Sequence, residues 1–351
     1  MRAPIPGRSS NSGFRIWRKI KSLFRGLRIP LKEFPNFYVF TPFIIPAYST
    51  PSIRKINYTL ITLQIQLVAR LLKIKNPIIF ETIPTANEVA PKLNPTLEIV
   101  NRVDKMSAFG ESDTSYIESL EEAQISRASR TYYTSQLLLA DELNWHGGKG
   151  RFLDHGINLE LFKPKGSDEP KPQEIKEIKT RIIGFFGGID DYVIDISLLE
   201  RIADHFADCT LLLIGQATCN ISALISRANV VHLGQMSPKQ VAEIGSYFDV
   251  AILPRKNDEW TKYTNPIKIK EYLGLGLEIV SMDIPEIRKY ANDIRLVDNS
   301  DAFISEIEKA LEEQLTEKRK KELRDLVNND SWDVRVQEIL QDIKELLKCV
   351  E

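Results

Sequence analysis

Short apolar runs alternate with amphipathic segments throughout the second half of the chain. Runs of consecutive apolar residues are typical of strands buried on both faces of a parallel sheet. The segments between them repeat apolar residues at helical spacing, as crossover helices do. We therefore predict strands at 181–188, 209–216, 229–235, 249–255 and 277–283, with helices at 196–206, 238–248, 266–273 and 302–313.

The first half follows the same rhythm less regularly. A run at 77–82 predicts a buried strand, and the segment 56–73 predicts a long helix. The remaining elements predicted here are strands at 37–41, 97–104, 130–136 and 150–158 and a helix at 118–128. Strands that alternate with helices in both halves give the fold class α/β, built on parallel sheets.

The chain is long enough for two domains. Its 351 residues exceed the roughly 250–300 at which one hydrophobic core usually stops growing. Residues 163–178 are rich in Pro, Gly and charge without apolar periodicity, which is typical of a linker. We predict an N-terminal domain at 35–162 and a C-terminal domain at 179–330. The tail at 331–351 is predicted to be a helix that Ser331 caps and that crosses back to the N-terminal domain.

Charge is concentrated at the start of the chain. Residues 1–34 hold nine basic residues and one acidic residue, although the whole chain has a net charge of −1. Residues 14–28 place apolar side chains at helical spacing among these cations. Such a basic amphipathic helix binds anionic membrane surfaces, and the alternative is a helix packed on its own domain. The apolar positions are Ile16, Trp17, Ile20, Leu23, Phe24 and Leu27.

Other features narrow the class of protein. No run of 18 or more apolar residues indicates a membrane-spanning helix, and no secretory signal is recognisable. The near-neutral net charge of the chain is not typical of a nucleic-acid-binding protein. Cys209, Cys219 and Cys349 lack metal-ligand spacing, and the four histidines are scattered. We predict a cytoplasmic protein, peripheral at the inner face of the plasma membrane, that uses neither a metal nor another cofactor.

Glycines follow three predicted strands of the second half. Ligands of open parallel sheets bind outside the carboxyl ends of the strands, so these loops are candidates for one site. Glycine leaves the backbone open to a phosphate, but the segment lacks dinucleotide-binding spacing, and the acidic Asp190 and Asp191 follow it. A tight turn is the alternative interpretation. The strand-end residues are Gly187 and Gly188, Gly215 and Gln216, Gly234 and Gln235, and Pro254 and Arg255.

The segment 264–281 carries the clearest chemical pattern. Thr264 and Asn265 are suited to cap a helix that starts with Pro266. Lys268 and Glu271 then share one helix face. A lysine beside a helix N-terminus attracts phosphate, and a carboxylate can bind a sugar diol. The pattern favours a nucleoside diphosphate, although a capped helix with a surface Lys–Glu pair would give the same sequence.

The segment KIKEYLGLGLEIVS resembles the Glu-Tyr-Leu-Ala-x-Gly-x-x-Val-Val motif of GT-B glycosyltransferases of the family 1 and family 4 type. The resemblance extends over roughly residues 35–345 and is closest to bacterial enzymes of envelope and exopolysaccharide synthesis. It implies two Rossmann-like domains that face each other across a cleft. Further similar segments occur in the family's order at 99–110, 128–135, 152–164, 182–191, 211–216, 230–237 and 248–254.

The resemblance also implies roles for individual residues. Glu271 would hold the ribose hydroxyls, while Gly187 and Gly188 and the residues around Asn265 and Lys268 approach the diphosphate. Gly234 and Gln235 would lie near the base, with Gly215 and Thr264 in the same donor site. Asp104 would be the general base for the acceptor hydroxyl. For Asp104 the alternative is a helix cap or an ion pair with Arg102.

The sequence departs from the family pattern in three places. Tyr263 stands where retaining members carry a second glutamate, and Glu259 is out of register. No Arg and Lys pair follows the glycine-rich turn. The family's first strand-helix-strand unit also has no counterpart, which bears on acceptor binding. The first two departures leave the anomeric outcome open and slightly favour an inverting reaction.

The leading hypothesis is a glycosyltransferase that moves a sugar from a UDP-linked donor to a hydroxyl of a lipid-linked or polysaccharide acceptor. Lys268 and the helix N-terminus would offset the diphosphate charge, so no metal is implied. Two alternatives remain: a non-catalytic protein that binds a nucleotide sugar or a partner, and a sugar-nucleotide epimerase of the same fold.

Overall fold

A computed structural model describes residues 26–29, 31–45, 50–109, 113–164, 169–313 and 315–349. Most of the predicted helix at 14–28 lies outside these residues. Its last residues form a strand instead of a helix: β1 (Leu27–Arg28) pairs antiparallel with β2 (Val39–Phe40). Gly26 precedes β1 with a φ of +48°, a left-handed conformation that does not continue a helix. The prediction of a helix at 14–28 is therefore wrong for its last residues.

The C-terminal half is built on a six-stranded parallel sheet whose order is β12-β11-β10-β7-β8-β9. All five predicted strands are present, and their inward and outward side chains are both buried, as in other parallel sheets. The strands are β7 (Ile182–Phe186), β8 (Thr210–Ile214), β9 (Val230–His232), β10 (Val250–Leu253), β11 (Glu278–Met282) and β12 (Arg295–Val297).

Helices cover both faces of this sheet and supply the rest of the main hydrophobic core. They are α5 (Ile196–His205), α6 (Ser222–Ile225), α7 (Pro238–Gly245), α8 (Glu259–Lys262), α9 (Lys268–Gly274) and α10 (Ser300–Glu312). A 3₁₀ turn at Pro285–Tyr290 precedes β12. Helix α9 begins at Lys268 and not at Pro266, so the predicted start of this helix is two residues too early.

The N-terminal half has a smaller parallel sheet whose order is β3-β4-β5-β6. The prediction of a buried strand at 77–82 is wrong in one respect, because β3 lies at the sheet edge and exposes Ile78 and Phe80. The strands are β3 (Ile78–Glu81), β4 (Leu97–Arg102), β5 (Arg130–Tyr133) and β6 (Gly150–Phe152). The helices are α1 (Pro51–Leu71), α2 (Thr114–Arg127), α3 (Gln136–Asp141) and α4 (Leu143–His146), and 3₁₀ turns lie at Pro84–Glu88, Ala90–Leu93 and Met106–Ala108.

The tail of the chain contacts the N-terminal sheet. After α11 (Glu317–Asp325), helix α12 (Trp332–Lys348) begins at Ser331, whose hydroxyl accepts a hydrogen bond from the Val334 N–H. Asp342 of α12 accepts hydrogen bonds from Arg130 and Tyr132 of β5. The segment before β7 holds a 3₁₀ turn (Gln173–Ile175) whose Ile175 is fully buried.

A buried ionic cluster joins the turn after β6 to helix α9. The Lys270 ammonium is only 2% exposed and lies 2.8 Å from carboxylate oxygens of both Asp154 and Asp330. It also donates to the His155 carbonyl at 2.7 Å, so all three of its donors have partners. Lys289 forms a further ion pair with Asp154. Burial alone would raise the pKa of Asp154, but the two lysines outweigh burial and hold this pKa well below its ordinary value.

A second carboxylate makes a similar connection beside this cluster. Glu286, in the turn before β12, accepts hydrogen bonds from the Ser135 hydroxyl and from the Gln136 N–H at the start of α3. Negative charge at a helix N-terminus is stabilising. The two halves are therefore held together by charged groups of one half that contact loop side chains and loop backbone of the other.

Replacing Lys270 tests how strongly the fold depends on the ionic cluster. Removing one partner of a buried ion pair leaves charge uncompensated, so we expect Lys270→Met to lower the free energy of unfolding by about 3 kcal/mol. Thermal and urea unfolding, followed by circular dichroism, measure the loss. Lys318→Met is the matched control, because Lys318 is 87% exposed and such changes stay within about 0.5 kcal/mol. Equal stability of the two variants would contradict this account.

Candidate nucleotide-sugar site

The loops after β7, β8 and β9 are hydrogen-bonded to one another at the carboxyl edge of the large sheet. The Gly187 N–H donates to the Ile214 carbonyl at 2.8 Å, and the Gly215 N–H donates to the Gly234 carbonyl at 2.7 Å. Gly234 has a φ of +69°, and the exposed Gln235 follows it. The three predicted glycine loops therefore form one continuous rim, as their strand-end positions suggested.

Two of these glycines occupy positions where a side chain cannot fit. A Cβ atom on Gly215 would lie 1.8 Å from the Gly187 carbonyl oxygen, and one on Gly187 would lie 1.9 Å from Cε of Lys268. Both residues also have φ values, +146° and +143°, that L residues rarely adopt. Gly188 differs, since a Cβ there would meet no atom within 4 Å. The close approach thus brings Lys268 directly over the Gly187 backbone.

Helix α9 carries the predicted pair Lys268 and Glu271, and both side chains are partly buried. Burial and the nearby Arg255 guanidinium lower the pKa of Lys268 to about 8, which Glu271 only partly opposes. Burial raises the pKa of Glu271, and Lys268 opposes that shift. Both groups are therefore held in an environment that disfavours their charged forms.

Arg255 is a second cation of the site, which the sequence placed among the strand-end candidates without assigning it a ligand group. It follows β10, and its guanidinium donates to the Thr264 hydroxyl at 2.6 Å. Its Nε atom is buried and has no hydrogen-bond partner within the described ranges. Burial lowers the pKa of Arg255 to about 10, although the carboxylates of Asp104 and Asp258 oppose this.

Arg255 and Lys268 reach the site from separate elements. No clear Arg and Lys pair follows the glycine turn in sequence, but Lys268 packs over Gly187 and Arg255 is near enough to lower the pKa of Lys268. The one signal in the sequence was the position of Arg255 at the end of a predicted strand. Its meaning depended on tertiary structure, because only the fold shows which strand ends meet.

Thr264 and Asn265 do not cap the helix as predicted. The Thr264 hydroxyl donates to the Thr261 carbonyl and accepts the bond from Arg255. The Asn265 amide donates to the Thr134 carbonyl at 2.9 Å and to Asp154 at 2.8 Å. Contacts with the N-terminal half therefore use both amide hydrogens of Asn265, and α9 begins without a side-chain cap. Thr264 positions Arg255, and Asn265 joins the two halves.

Asp104 lies just after β4, on the N-terminal side of the same site. Its negative charge raises the pKa of Arg255. The Arg102 guanidinium pairs with Glu121 and Glu142. It also donates to the backbone carbonyl of Asp104, at 2.9 Å.

Aromatic side chains pack beside Arg255, whose guanidinium carbon lies 6.0 Å from the centre of the Trp260 ring. Phe109, in the N-terminal half, packs against Tyr192 and Trp260 of the C-terminal half with ring-centroid distances of 5.6 and 5.8 Å. The buried Trp260 indole N–H has no hydrogen-bond partner in the part of the chain that the structure describes.

Tyr263, which stands at the position of the family's second glutamate, is buried and donates from its hydroxyl to Asp141 at 2.7 Å. That position holds a structural contact between the halves.

Metal ligands are not grouped at this site. Within the described ranges, no set of three or more His, Cys, Asp or Glu side chains could hold a metal ion. The positive charge near the glycine rim comes from Arg255 and Lys268.

Comparison with known proteins agrees with this architecture. Sucrose-phosphate synthase from Thermosynechococcus elongatus superposes with a TM-score of 0.74 at 15% identity, covering 92% of this chain and 86% of that one. Anabaena Alr3699/HepE in complex with UDP and glucose superposes with a TM-score of 0.66 at 14% identity, covering 81% and 82%. No family model matches the chain.

One curated sequence relative adds to the structural likeness. TuaH of Bacillus subtilis (strain 168), named "Putative teichuronic acid biosynthesis glycosyltransferase", is 25% identical over 197 residues. The match covers 54% of this chain and spans about half, 49%, of TuaH. The chain has the GT-B fold, with two Rossmann-like domains on parallel sheets, and the predicted resemblance to GT-B glycosyltransferases is confirmed.

The low pKa of Lys268 predicts how anion binding changes with pH. Lys268 has a pKa of about 8, so it loses its proton between about pH 7 and pH 9, whereas Arg255, at about 10, stays charged. We expect the affinity of the wild type for inorganic pyrophosphate to fall about tenfold relative to Lys268→Arg over this range. Isothermal titration calorimetry at pH 7 and pH 9 measures the pyrophosphate affinity of the wild type and of Lys268→Arg.

The Lys268→Arg variant also serves as the control in this comparison. Its guanidinium keeps its charge at both pH values, and it corrects for the charge that pyrophosphate itself gains as the pH rises. Parallel pH profiles for the two proteins would show that Lys268 does not contribute to anion binding.

Proposed function

We propose that this protein transfers a hexosyl group from a UDP-sugar to a hydroxyl of a lipid-linked or polysaccharide acceptor. The observation that carries the proposal is the packing of Lys268 over the Gly187 backbone, with Arg255 near enough to lower the pKa of Lys268 and Glu271 one turn along the same helix. Two similar proteins support it: Alr3699/HepE was crystallised with UDP, glucose and UDP-glucose, and TuaH is named for teichuronic acid biosynthesis.

The two cations suit a diphosphate. Both are held in surroundings that lower their pKa values, and no carboxylate of the described residues is within ion-pair distance of either. A bound diphosphate would supply the missing negative charge, and charge-assisted hydrogen bonds of this kind are strong. Because Gly187 and Gly215 carry no side chains, phosphate oxygens could approach the backbone of this rim closely.

Glu271 would bind the ribose. Its carboxylate can accept hydrogen bonds from two neighbouring hydroxyls, which requires the ionised form. Burial raises the pKa of Glu271 while Lys268 opposes this, so the lysine also helps to keep the carboxylate charged. Diphosphate and diol groups one helical turn apart match a nucleoside diphosphate.

Asp104 would act on the acceptor. In the proposed step the acceptor oxygen attacks the anomeric carbon, the bond from that carbon to the phosphate oxygen breaks, and UDP leaves with the bonding electrons. The acceptor proton passes to the Asp104 carboxylate. Arg255 and Lys268 would stabilise the negative charge that develops on the departing diphosphate. A base placed opposite the leaving group is consistent with inversion at the anomeric carbon.

Ligand-induced stabilisation tests the donor site. We expect UDP to raise the melting temperature more than GDP or dTDP, and Glu271→Ala to weaken UDP binding by roughly 10–100-fold, because two hydrogen bonds to a charged group are lost. Glu312→Ala, on the exposed side of α10, should bind UDP like the wild type. If no nucleotide shifts the melting temperature, the donor-binding proposal is wrong.

Measurement of turnover distinguishes the proposed role of Asp104 in catalysis from the binding of the donor. We expect Asp104→Asn to lower kcat by about 10²–10⁴ while its UDP affinity changes little, as measured by release of UDP in the presence of an acceptor. Asp113→Asn, an exposed neighbouring carboxylate, is the control. Full activity of Asp104→Asn would exclude the general-base role. Conversion of the donor without acceptor would indicate an epimerase, and donor binding without any turnover would indicate the non-catalytic alternative.

A further inference from the structure

Helix α1 presents its apolar side chains to solvent. Ile56, Leu63, Leu67 and Leu71 lie on one face of the helix and are 49%, 58%, 56% and 68% exposed. Helices on the surface of a globular protein normally turn such a face towards the core. The arrangement of α1 is therefore the reverse of the usual one.

Polar contacts fix this orientation. The opposite face of α1 buries Asn57, Tyr58 and Thr62. The Asn57 amide exchanges two hydrogen bonds of 2.8 Å with the backbone of Ile45, and the Tyr58 hydroxyl contacts the Tyr116 hydroxyl at 3.2 Å. Rotating the helix to hide its leucines would break these bonds and leave buried polar groups unsatisfied, which is costly.

The exposed apolar surface extends beyond the helix. The backbone of Phe43 forms two hydrogen bonds with the Gln64 side chain, which places the 54% exposed Phe43 beside α1. Ile74, at the turn after the helix, is 50% exposed. We call Ile56, Leu63, Leu67, Leu71, Phe43 and Ile74 the α1 surface. Contiguous apolar exposure of this kind marks an interaction site.

The charged residues around α1 indicate what kind of partner the α1 surface would bind. Residues 34–80 contain five basic residues and no acidic residue. Four of the five cations are exposed near the two ends of α1: Lys55, Arg70, Lys73 and Lys75. Residues 1–80 as a whole hold 14 basic residues and one acidic residue, while residues 81–351 hold 33 basic and 47 acidic. An apolar face bordered by cations fits the interface of a bilayer that contains anionic lipids.

We propose that the α1 surface docks on such a bilayer with the helix axis parallel to the membrane plane. No helix in the described part of the chain is both long and apolar enough to span a membrane. Residues 1–25 include apolar positions, but they also carry seven basic residues and no acidic one, so packing them on the α1 surface would place like charges together. A second copy would likewise place two positively charged regions against each other. This proposal does not depend on the glycosyltransferase activity.

Vesicle co-sedimentation of the full chain tests the proposal. We expect binding to phosphatidylcholine vesicles only when they contain phosphatidylglycerol, with affinity falling as salt is raised. Leu63→Glu/Leu67→Glu should weaken binding at least roughly tenfold, because two side chains can no longer enter the interface. Leu143→Glu is the matched control, since Leu143 is 57% exposed elsewhere in the same half, and it should bind like the wild type.

Two further single variants test the charge without changing the apolar face. Lys55→Gln and Lys73→Gln should each weaken vesicle binding roughly fivefold, and this loss should be smaller at high salt. Circular dichroism and the UDP-induced thermal shift, measured on every variant, show that the fold and the donor site are intact. Failure of membrane docking is thus distinguishable from failure of the proposed activity.

Several results would overturn the proposal. The wild type could fail to bind anionic vesicles, or bind neutral vesicles equally well. Leu63→Glu/Leu67→Glu could bind as tightly as the wild type, which would assign the binding to another part of the chain. A dimer that this double variant dissociates, in a protein that does not bind vesicles, would show that a second copy covers the surface.

Discussion

The buried ammonium of Lys270 fixes the geometry on which the candidate site depends. It lies between Asp154, which follows the last strand of the small sheet, and Asp330, which precedes the C-terminal helix. Lys268 and Glu271 flank it on the same short helix. Since each ion of a buried pair is costly to desolvate, the cluster is favourable only when all its members are in place. The position of α9, and with it the direction of Lys268, is therefore tied to the relative placement of the two halves.

The donor site has the opposite electrostatic character. Whereas the charges around Lys270 are matched, Arg255 and Lys268 are partly buried near each other and their pKa values are lowered. Between about pH 8 and 10.5 the unfolded chain binds more protons at Lys268 than the folded chain does. Keeping this lysine charged at neutral pH thus works against folding. A dianionic ligand would relieve that cost, so the neighbouring matched cluster stabilises a site that is itself unfavourable when empty.

The sequence predicted most of the large sheet because strands buried on both faces are apolar runs that need no tertiary context. It did less well where one face is exposed. The segment around Ile78 is as apolar as a core strand, yet it forms an open edge. Thr264 and Asn265 have the composition of a helix cap, but a guanidinium and a loop of the other half compete for their side chains.

Arg255 shows the other limit of sequence analysis. Its role arises where separate strand ends converge, and no local pattern records that convergence. Asp104 is different, because its place after an apolar strand and its family resemblance both indicated a site residue, and its charge raises the pKa of Arg255. Residues at strand ends can thus be proposed from sequence, whereas the pairing of those residues has to come from the fold.

Charge segregation connects the α1 surface with the proposed chemistry. The first 80 residues are strongly basic, so an anionic bilayer would attract the part of the molecule that carries α1. The N-terminal half would then contact the lipid through α1. Asp104 belongs to this half, and the donor cations Arg255 and Lys268 belong to the other. A water-soluble nucleotide sugar and a membrane-borne acceptor could thereby reach the site from opposite sides.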